Sequence, residues 1–282
     1  MKKVLVVGLG EVGLPLYEII KESNKFKVYG YDIDVKKRQR LNQPWTLPRK
    51  FDIIHICLPC KDDMQFCQIV LEYISNYRPD LLIINSTVPS HTTSTIAKYA
   101  ECLIVHSPIR GMHKTMKRDI KRYTKFVGPI TEEAGLAAKE HFEMIGLKVK
   151  VLGKAVDTEL GKLVETSYTA LQIASWQEFH RIAIATGADI DGVAELTDDV
   201  EARKYVQIGP VWFPDIMRGH CLIPNLKLLL KTYDSKLFKE VLKSNKKREG
   251  ELNNEEILEG TEKLKERFRK NAKKFKSGET YD

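Results

Sequence analysis

Short, unbroken apolar runs alternate with segments of helical spacing through the first half of the chain. Val4–Gly8, Lys27–Tyr31, Ile53–Leu58, Leu81–Asn85 and Leu103–His106 are brief and rich in Val, Ile and Leu, so each predicts a buried strand. Between them, Leu16–Lys21, Met64–Ser75 and Thr93–Tyr99 carry the spacing of amphipathic helices. Phe126–Val127 and Lys148–Leu152 add two strands around a helical Glu132–Ile145, with Gly128-Pro129 and Gly146 as punctuation. Strand and helix in regular alternation predict an α/β fold with a doubly wound parallel sheet of the Rossmann type.

The texture changes near residue 154. Asp157 to Thr186 is one long helical pattern, Gly187 is a natural stop, and Ala188 to Val200 begins another helix. A Pro- and aromatic-containing stretch follows at 208–214, and Leu226–Leu242 reads as a further helix. The expected organisation is a Rossmann domain over 1–153, a smaller all-helical domain over 154–243, and a charged helical tail over 244–282. The tail mixes Lys, Arg and Glu as a solvated helix does.

The first strand runs into Gly8-Leu-Gly-Glu-Val-Gly, a complete G-x-G-x-x-G, and a helix follows at once. Gly8 permits the turn, Gly10 lets the backbone approach a phosphate, and Gly13 lets helix and strand pack closely. Asp32 lies nineteen residues after Gly13, at the end of the second strand, where a carboxylate accepts from a ribose hydroxyl. The pattern predicts a bound dinucleotide. Asp32 favours NAD, because a carboxylate repels a 2′-phosphate, while Lys36, Lys37 and Arg38 leave NADP open. S-adenosylmethionine is an alternative ligand for the same carboxylate, and a turn that only packs is the bland alternative.

Composition narrows the class. The chain has 282 residues, 43% apolar and 30% charged, as a globular protein does. No apolar run reaches the roughly 18 residues of a membrane span. The amino terminus enters a strand directly, without the pattern of a secretory signal. Five cysteines are an odd number and suit a reducing, cytoplasmic setting. Cys57 and Cys60 read C-x-x-C without a second pair, and the seven histidines have no ligand spacing, so no metal site is expected. The net charge of +8 comes without interleaved aromatics, which argues against nucleic acid.

From residue 2 to about 230, a succession of tags resembles the UDP-glucose/GDP-mannose dehydrogenase family. They are GLGEVGLPL, Tyr29-Gly-Tyr-Asp-Ile-Asp, Ile56-Cys-Leu-Pro, Ser86-Thr-Val-Pro, Ser107-Pro-Ile-Arg, Glu159-Leu-Gly-Lys-Leu and Gly219-His-Cys. The resemblance implies that Glu11, Val12, Leu58, Pro59, Ser86 and Thr87 line the cofactor beside the three glycines and Asp32. It implies Cys221 as the nucleophile toward an aldehyde, Lys162 as the ammonium at the substrate oxygen, and Thr87 near nicotinamide and substrate. His220 and Arg218 flank that thiol. The family's long helix after the first domain is a dimer element. Leu160, Leu163, Val164, Leu171, Ile182 and Ile184 make the corresponding helix broadly apolar, so a homodimer is expected.

The chain departs from the pattern at three site positions. Ile109 stands where the family has a glutamate, Thr166 where it has an asparagine, and Asn225 where it has an aspartate. Neither Ile109 nor Asn225 can accept the proton of a hydrolytic water. About fifty residues, half of them charged, follow Leu230, without the strand–helix alternation of the family's second nucleotide-gripping domain. The expectation is an NAD-dependent oxidoreductase reduced to a two-electron alcohol oxidation of a small molecule. The alternatives are a Rossmann protein binding S-adenosylmethionine or a nucleotide, for methyl transfer or regulation, and an interaction protein using its basic end.

Overall fold

Seven strands build one sheet: β1 (Lys3–Val7), β2 (Lys27–Tyr31), β3 (Ile53–Ile56), β4 (Leu81–Ile84), β5 (Leu103–His106), β6 (Lys125–Pro129) and β7 (Val149–Val151). The helices are α1 (Gly13–Glu22), α2 (Val35–Gln39), α3 (Asp63–Tyr77), α4 (Thr92–Ala97), α5 (Met116–Arg122), α6 (Glu132–Met144), α7 (Ala155–Thr186), α8 (Ile190–Ala202), α9 (Leu222–Thr232), α10 (Lys236–Glu251) and α11 (Glu255–Ser277). The structure is a computed structural model and describes residues 1–277 except 42, 45, 203–213 and 220. His220 and most of the 208–214 stretch therefore lie outside the described residues.

The sheet order is β2-β1-β3-β4-β5-β6-β7. Neighbours run parallel except β5 and β6, which pair antiparallel at Val105–Pro129 and His106–Gly128. The central strands are apolar on both faces because both faces are covered. Val4 and Val6 face Leu16, Ile20 and Phe142 of α1 and α6, while Leu5, Val7, Ile54 and Ile56 share a cluster with Phe66, Val70 and Ile96 of α3 and α4. Each such side chain contributes about 1.5–3 kcal/mol on burial. At the edge, Gly30 of β2 donates to Gln43 Oε1 at 2.9 Å and accepts from its Nε2 at 2.7 Å. A side-chain amide thus stands in for a neighbouring strand.

The chain forms two compact units, 1–163 and 164–282, and the division falls inside α7. Among its described residues, the second unit has only helices as regular elements. Trp176, Ala183, Ile190, Ala194 and Leu264 form a buried cluster in it. Arg181 Nε bridges both oxygens of Glu251 at 2.9 and 3.1 Å, and the buried Arg248 donates from Nη2 to the Gln177 carbonyl at 2.8 Å.

The single helix expected over Leu226–Leu242 is instead two. Tyr233 is extended (φ −148°, ψ 128°), ending α9, and Ser235 restarts the chain as the cap of α10 by accepting from Phe238 N–H. A capping serine between two apolar stripes decides the break. On α7, Leu163, Ala170, Ile173 and Trp176 are buried, whereas Val164, Tyr168, Phe179 and Ile182 are about half exposed.

Candidate functional site

From β1 the chain crosses to β2 on one side and then returns to β3 on the other. The carboxyl ends of β1 and β3 therefore flank a switch point, where open α/β sheets take their ligands. The glycine turn sits there. Gly8 has φ +89°, and a Cβ on it would lie 2.6 Å from the Cys57 carbonyl oxygen. A Cβ on Gly13 would lie 1.7 Å from the Gly8 carbonyl oxygen and 3.0 Å from Cys57 Cβ. Both glycines are required by close packing. Gly10 differs, because nothing lies within 4 Å of where its Cβ would stand. Its open side is the one available to a ligand.

Helix α1 starts at this turn with no side-chain cap and no acidic residue in its first turn. Its N-terminal N–H groups suit an anion. Glu11 is exposed beside it, and Val12 is half-buried. Asp32 is buried, and its carboxylate accepts from Leu9 N–H (2.7 Å), Asp34 N–H (2.9 Å) and Lys37 Nζ (3.3 Å). Burial alone would raise its carboxyl. The Asp34 and Leu9 N–H groups and the Lys37 ammonium outweigh that and hold it below the ordinary range. Three bonds leave acceptor capacity on its two oxygens for a ribose hydroxyl. The residues present thus fit a dinucleotide, with open backbone for the diphosphate and a fixed carboxylate for the ribose.

The loops after β3, β4 and β5 complete this edge. Leu58 is half-buried and Pro59 exposed after β3, and Ser86 is buried and Thr87 half-buried after β4. Ser86 donates its hydroxyl to the Ile56 carbonyl at 3.3 Å. His106, fully buried, donates from Nε2 to the Ser86 carbonyl at 3.0 Å, and its Nδ1 accepts from the Thr158 hydroxyl at 2.8 Å. A carbonyl only accepts, so this imidazole is the Nε2–H tautomer. Burial pushes it down to about 3, and the charges of Lys125 and Lys162 add to that. His106 thereby ties the Ser86-Thr87 segment to the start of α7.

Lys162 is half-buried on α7. The helix is anchored one turn earlier by Glu159, which accepts from His91 N–H (2.7 Å), Thr93 N–H (2.8 Å) and the Thr93 hydroxyl (2.6 Å) at the start of α4. Within the Glu159-Leu-Gly-Lys-Leu tag, the acid is therefore a helix cap that sequence reasoning missed. Its partners lie 66 residues or more away. Ile109 is buried in the cluster that includes Val105 and Ile120.

In the second unit, Cys221 is exposed at the residue before α9, and none of the five cysteines forms a disulfide. Asn225, one turn on, donates its amide to the Thr166 hydroxyl at 3.3 Å, both side chains being buried. In the C-x-x-C pair, Cys60 is buried, and burial pushes the Cys57 thiol up to about 12. Among the described residues no group of three His, Cys, Asp or Glu could hold a metal ion, and no helix is long and apolar enough to cross a membrane.

No model of a protein family matches the sequence. Among curated proteins, it is 25% identical over 260 residues to UDP-N-acetyl-D-mannosamine dehydrogenase of Methanocaldococcus jannaschii, covering 78% of this chain and 60% of that protein. It is 23% identical to the enzyme of the same name from Methanococcus vannielii, covering 88% and 66%. The chain thus spans about two thirds or less of the length of these relatives. Among solved structures, UDP-D-ManNAc dehydrogenase from Pyrococcus horikoshii superposes with TM-score 0.74 at 20% identity, over 87% of this chain and 68% of that one. A 3-hydroxyisobutyrate dehydrogenase from Mycobacterium tuberculosis superposes with TM-score 0.69 at 16% identity, over 94% and 98%. The fold is shared with both.

Proposed function

We propose that this UDP-glucose/GDP-mannose dehydrogenase-like chain is an NAD-dependent oxidoreductase that takes a hydride from an alcohol carbon of a small molecule. The observation that carries the reading is the open Gly10 backbone between two sterically obligatory glycines, with the pinned carboxylate of Asp32 at the next strand. Bound there, NAD supplies the hydride acceptor.

The protein's own groups do the rest. The α1 N-terminus and the Gly10 backbone hold the diphosphate, and Asp32 with Lys37 orients the ribose. Ser86 and Thr87, held through His106, border the nicotinamide end. With the hydroxyl proton released to water, Lys162 would stabilise the alkoxide from which the hydride leaves to give the carbonyl, a role for a positioned cation in a low-dielectric site.

A single two-electron step is favoured over oxidation to an acid. Full oxidation needs a base to activate water on a thioester at Cys221. Ile109 is hydrocarbon, and Thr166 and Asn225 are neutral and hydrogen-bonded to each other. The product is then the carbonyl compound. The relatives named for UDP-N-acetyl-D-mannosamine suggest a sugar-linked alcohol as the first substrate to try. The half-exposed Val164, Tyr168, Phe179 and Ile182 on α7 support a homodimer. Five cysteines outside any disulfide support a cytoplasmic setting.

Titration of the purified chain with NADH, NADPH and S-adenosylmethionine tests the reading. Tightest binding of NADH supports it. Preference for S-adenosylmethionine replaces it with a methyl-transfer or regulatory role for the same turn.

A further inference from the structure

Lys125 is a buried lysine that the dinucleotide reading leaves without a role. It opens β6, and because β6 runs antiparallel to β5, its first residue falls beside the carboxyl end of β5. That is the edge of the sheet that carries the glycine turn, Cys57 and Thr87. The side chain is 5% exposed. Its Nζ donates to the Ser107 carbonyl at 2.5 Å and the Pro108 carbonyl at 3.0 Å, and lies 5.2 Å from the centre of the Phe142 ring. Among the described residues no carboxylate pairs with it.

The hydrogen-bonded side chains beside it are neutral, and their hydrogen bonds show why. Asn85 Nδ2 donates to the same Ser107 carbonyl at 2.6 Å, so the Asn85 oxygen faces His55 Nδ1, 2.9 Å away, and accepts from it. His55 then presents an unprotonated Nε2 to His141 Nε2 at 2.9 Å, which donates. The chain His141–His55–Asn85–Ser107 therefore runs in one direction and carries no charge. A buried ammonium solvated only by carbonyl dipoles and a ring face is costly. A methionine would fill the same space without that cost.

We propose that Lys125 is an electrostatic positioning residue for the dinucleotide: it fixes the Ser107-Pro108 turn and supplies positive charge for an anion held at the same edge of the sheet. This rests on the dinucleotide reading. The titratable groups facing Lys125 are Cys57 and His55 from β3 and its end, His106 from β5, and Lys162 from α7, with His141 of α6 behind His55. Burial pushes the thiol up to about 12 and His55 and His106 down to about 3, and holds His141 well below its ordinary value. None of these changes charge near neutrality. Burial, and then the charge of Lys162, push Lys125 itself down to about 7. In the free protein just above neutrality it is therefore largely unprotonated. Cys57 packs against Gly8 and Gly13 and interacts electrostatically with Lys125, so a diphosphate held at that turn favours the ammonium and its binding takes up a proton.

The experiment is calorimetric titration with NADH at about pH 8, in two buffers of different ionisation enthalpy. The wild-type chain takes up about half a proton or more per NADH bound. Lys125→Met binds roughly tenfold more weakly and takes up none, whereas Lys125→Arg keeps the affinity and takes up none. Wild-type binding without proton uptake overturns the inference, as does Lys125→Met with the wild-type uptake. Should Lys125→Met not fold, the wild-type and Lys125→Arg titrations decide, and uptake retained by Lys125→Arg overturns it. A wild-type chain that binds no NADH overturns the dinucleotide reading, and this inference with it.

Discussion

Asn225 donates its amide to the hydroxyl of Thr166 across 3.3 Å, with both side chains buried in the helical unit. These are two of the three positions at which the chain departs from the nucleotide-sugar dehydrogenase pattern. Their pairing gives each departure a structural partner. A double-mutant cycle with Thr166→Val and Asn225→Leu should return a coupling of about 1 kcal/mol in urea denaturation. Strict additivity would mean that the bond contributes nothing.

The three glycines of the first turn should separate cleanly. Gly10→Ala has room for its methyl group and should melt at the wild-type temperature, yet bind NADH about tenfold or more weakly, because the methyl stands on the open side. Gly13→Ala drives a methyl against the Gly8 carbonyl and should lose at least ~3 kcal/mol of stability. Thermal melts and fluorescence titration of both variants check the contrast. Equal behaviour would count against the turn as a phosphate cradle.

Acid should unfold the first unit early. Burial holds His55 and His106 at about 3 and His141 well below its ordinary value, whereas in the unfolded chain each takes a proton near 6.5. Below that point the unfolded state binds more protons than the folded one. Stability is therefore whole above about pH 6.5 and falls as the pH drops toward the folded values. At about pH 5 each histidine costs up to ~2 kcal/mol. Urea midpoints measured between neutral pH and pH 5 should fall steeply, and a flat profile would contradict the neutral histidine chain.

The exposed apolar stripe of α7 should control assembly. Tyr168 is 56% and Ile182 51% exposed on a helix whose other face is buried. Light scattering should give a dimer for the wild-type chain and a monomer for Tyr168→Asp/Ile182→Asp, with helical content unchanged. A wild-type monomer would remove the proposed dimer.

Much of the fold was legible because it rests on local rules. Apolar runs of four or five residues between amphipathic segments gave the sheet, and β1 through β5 stand within two residues of where the pattern put them. The break at Tyr233–Ser235 was not legible, since apolar periodicity continued through it and the capping geometry of Ser235 overrode it. The compact units divide at 163, inside a helix where no local residue marks the change. The antiparallel turn from β5 to β6 was equally silent, because strand direction is set by the connection and not by the strand's own residues.

By itself the sequence determined the glycine turn, the carboxylate at the end of β2 and the order of strands and helices. These depend on backbone freedom and periodicity, which neighbouring residues express directly. Only the tertiary structure decided that Glu159 is a cap, that Ile109 is core, and that Lys125 sits buried against two carbonyls. Each of those roles is fixed by partners distant in the chain, 66 residues away for Glu159 and 18 for Lys125. Burial and charge balance are properties of what surrounds a side chain, and no single stretch of sequence contains its surroundings.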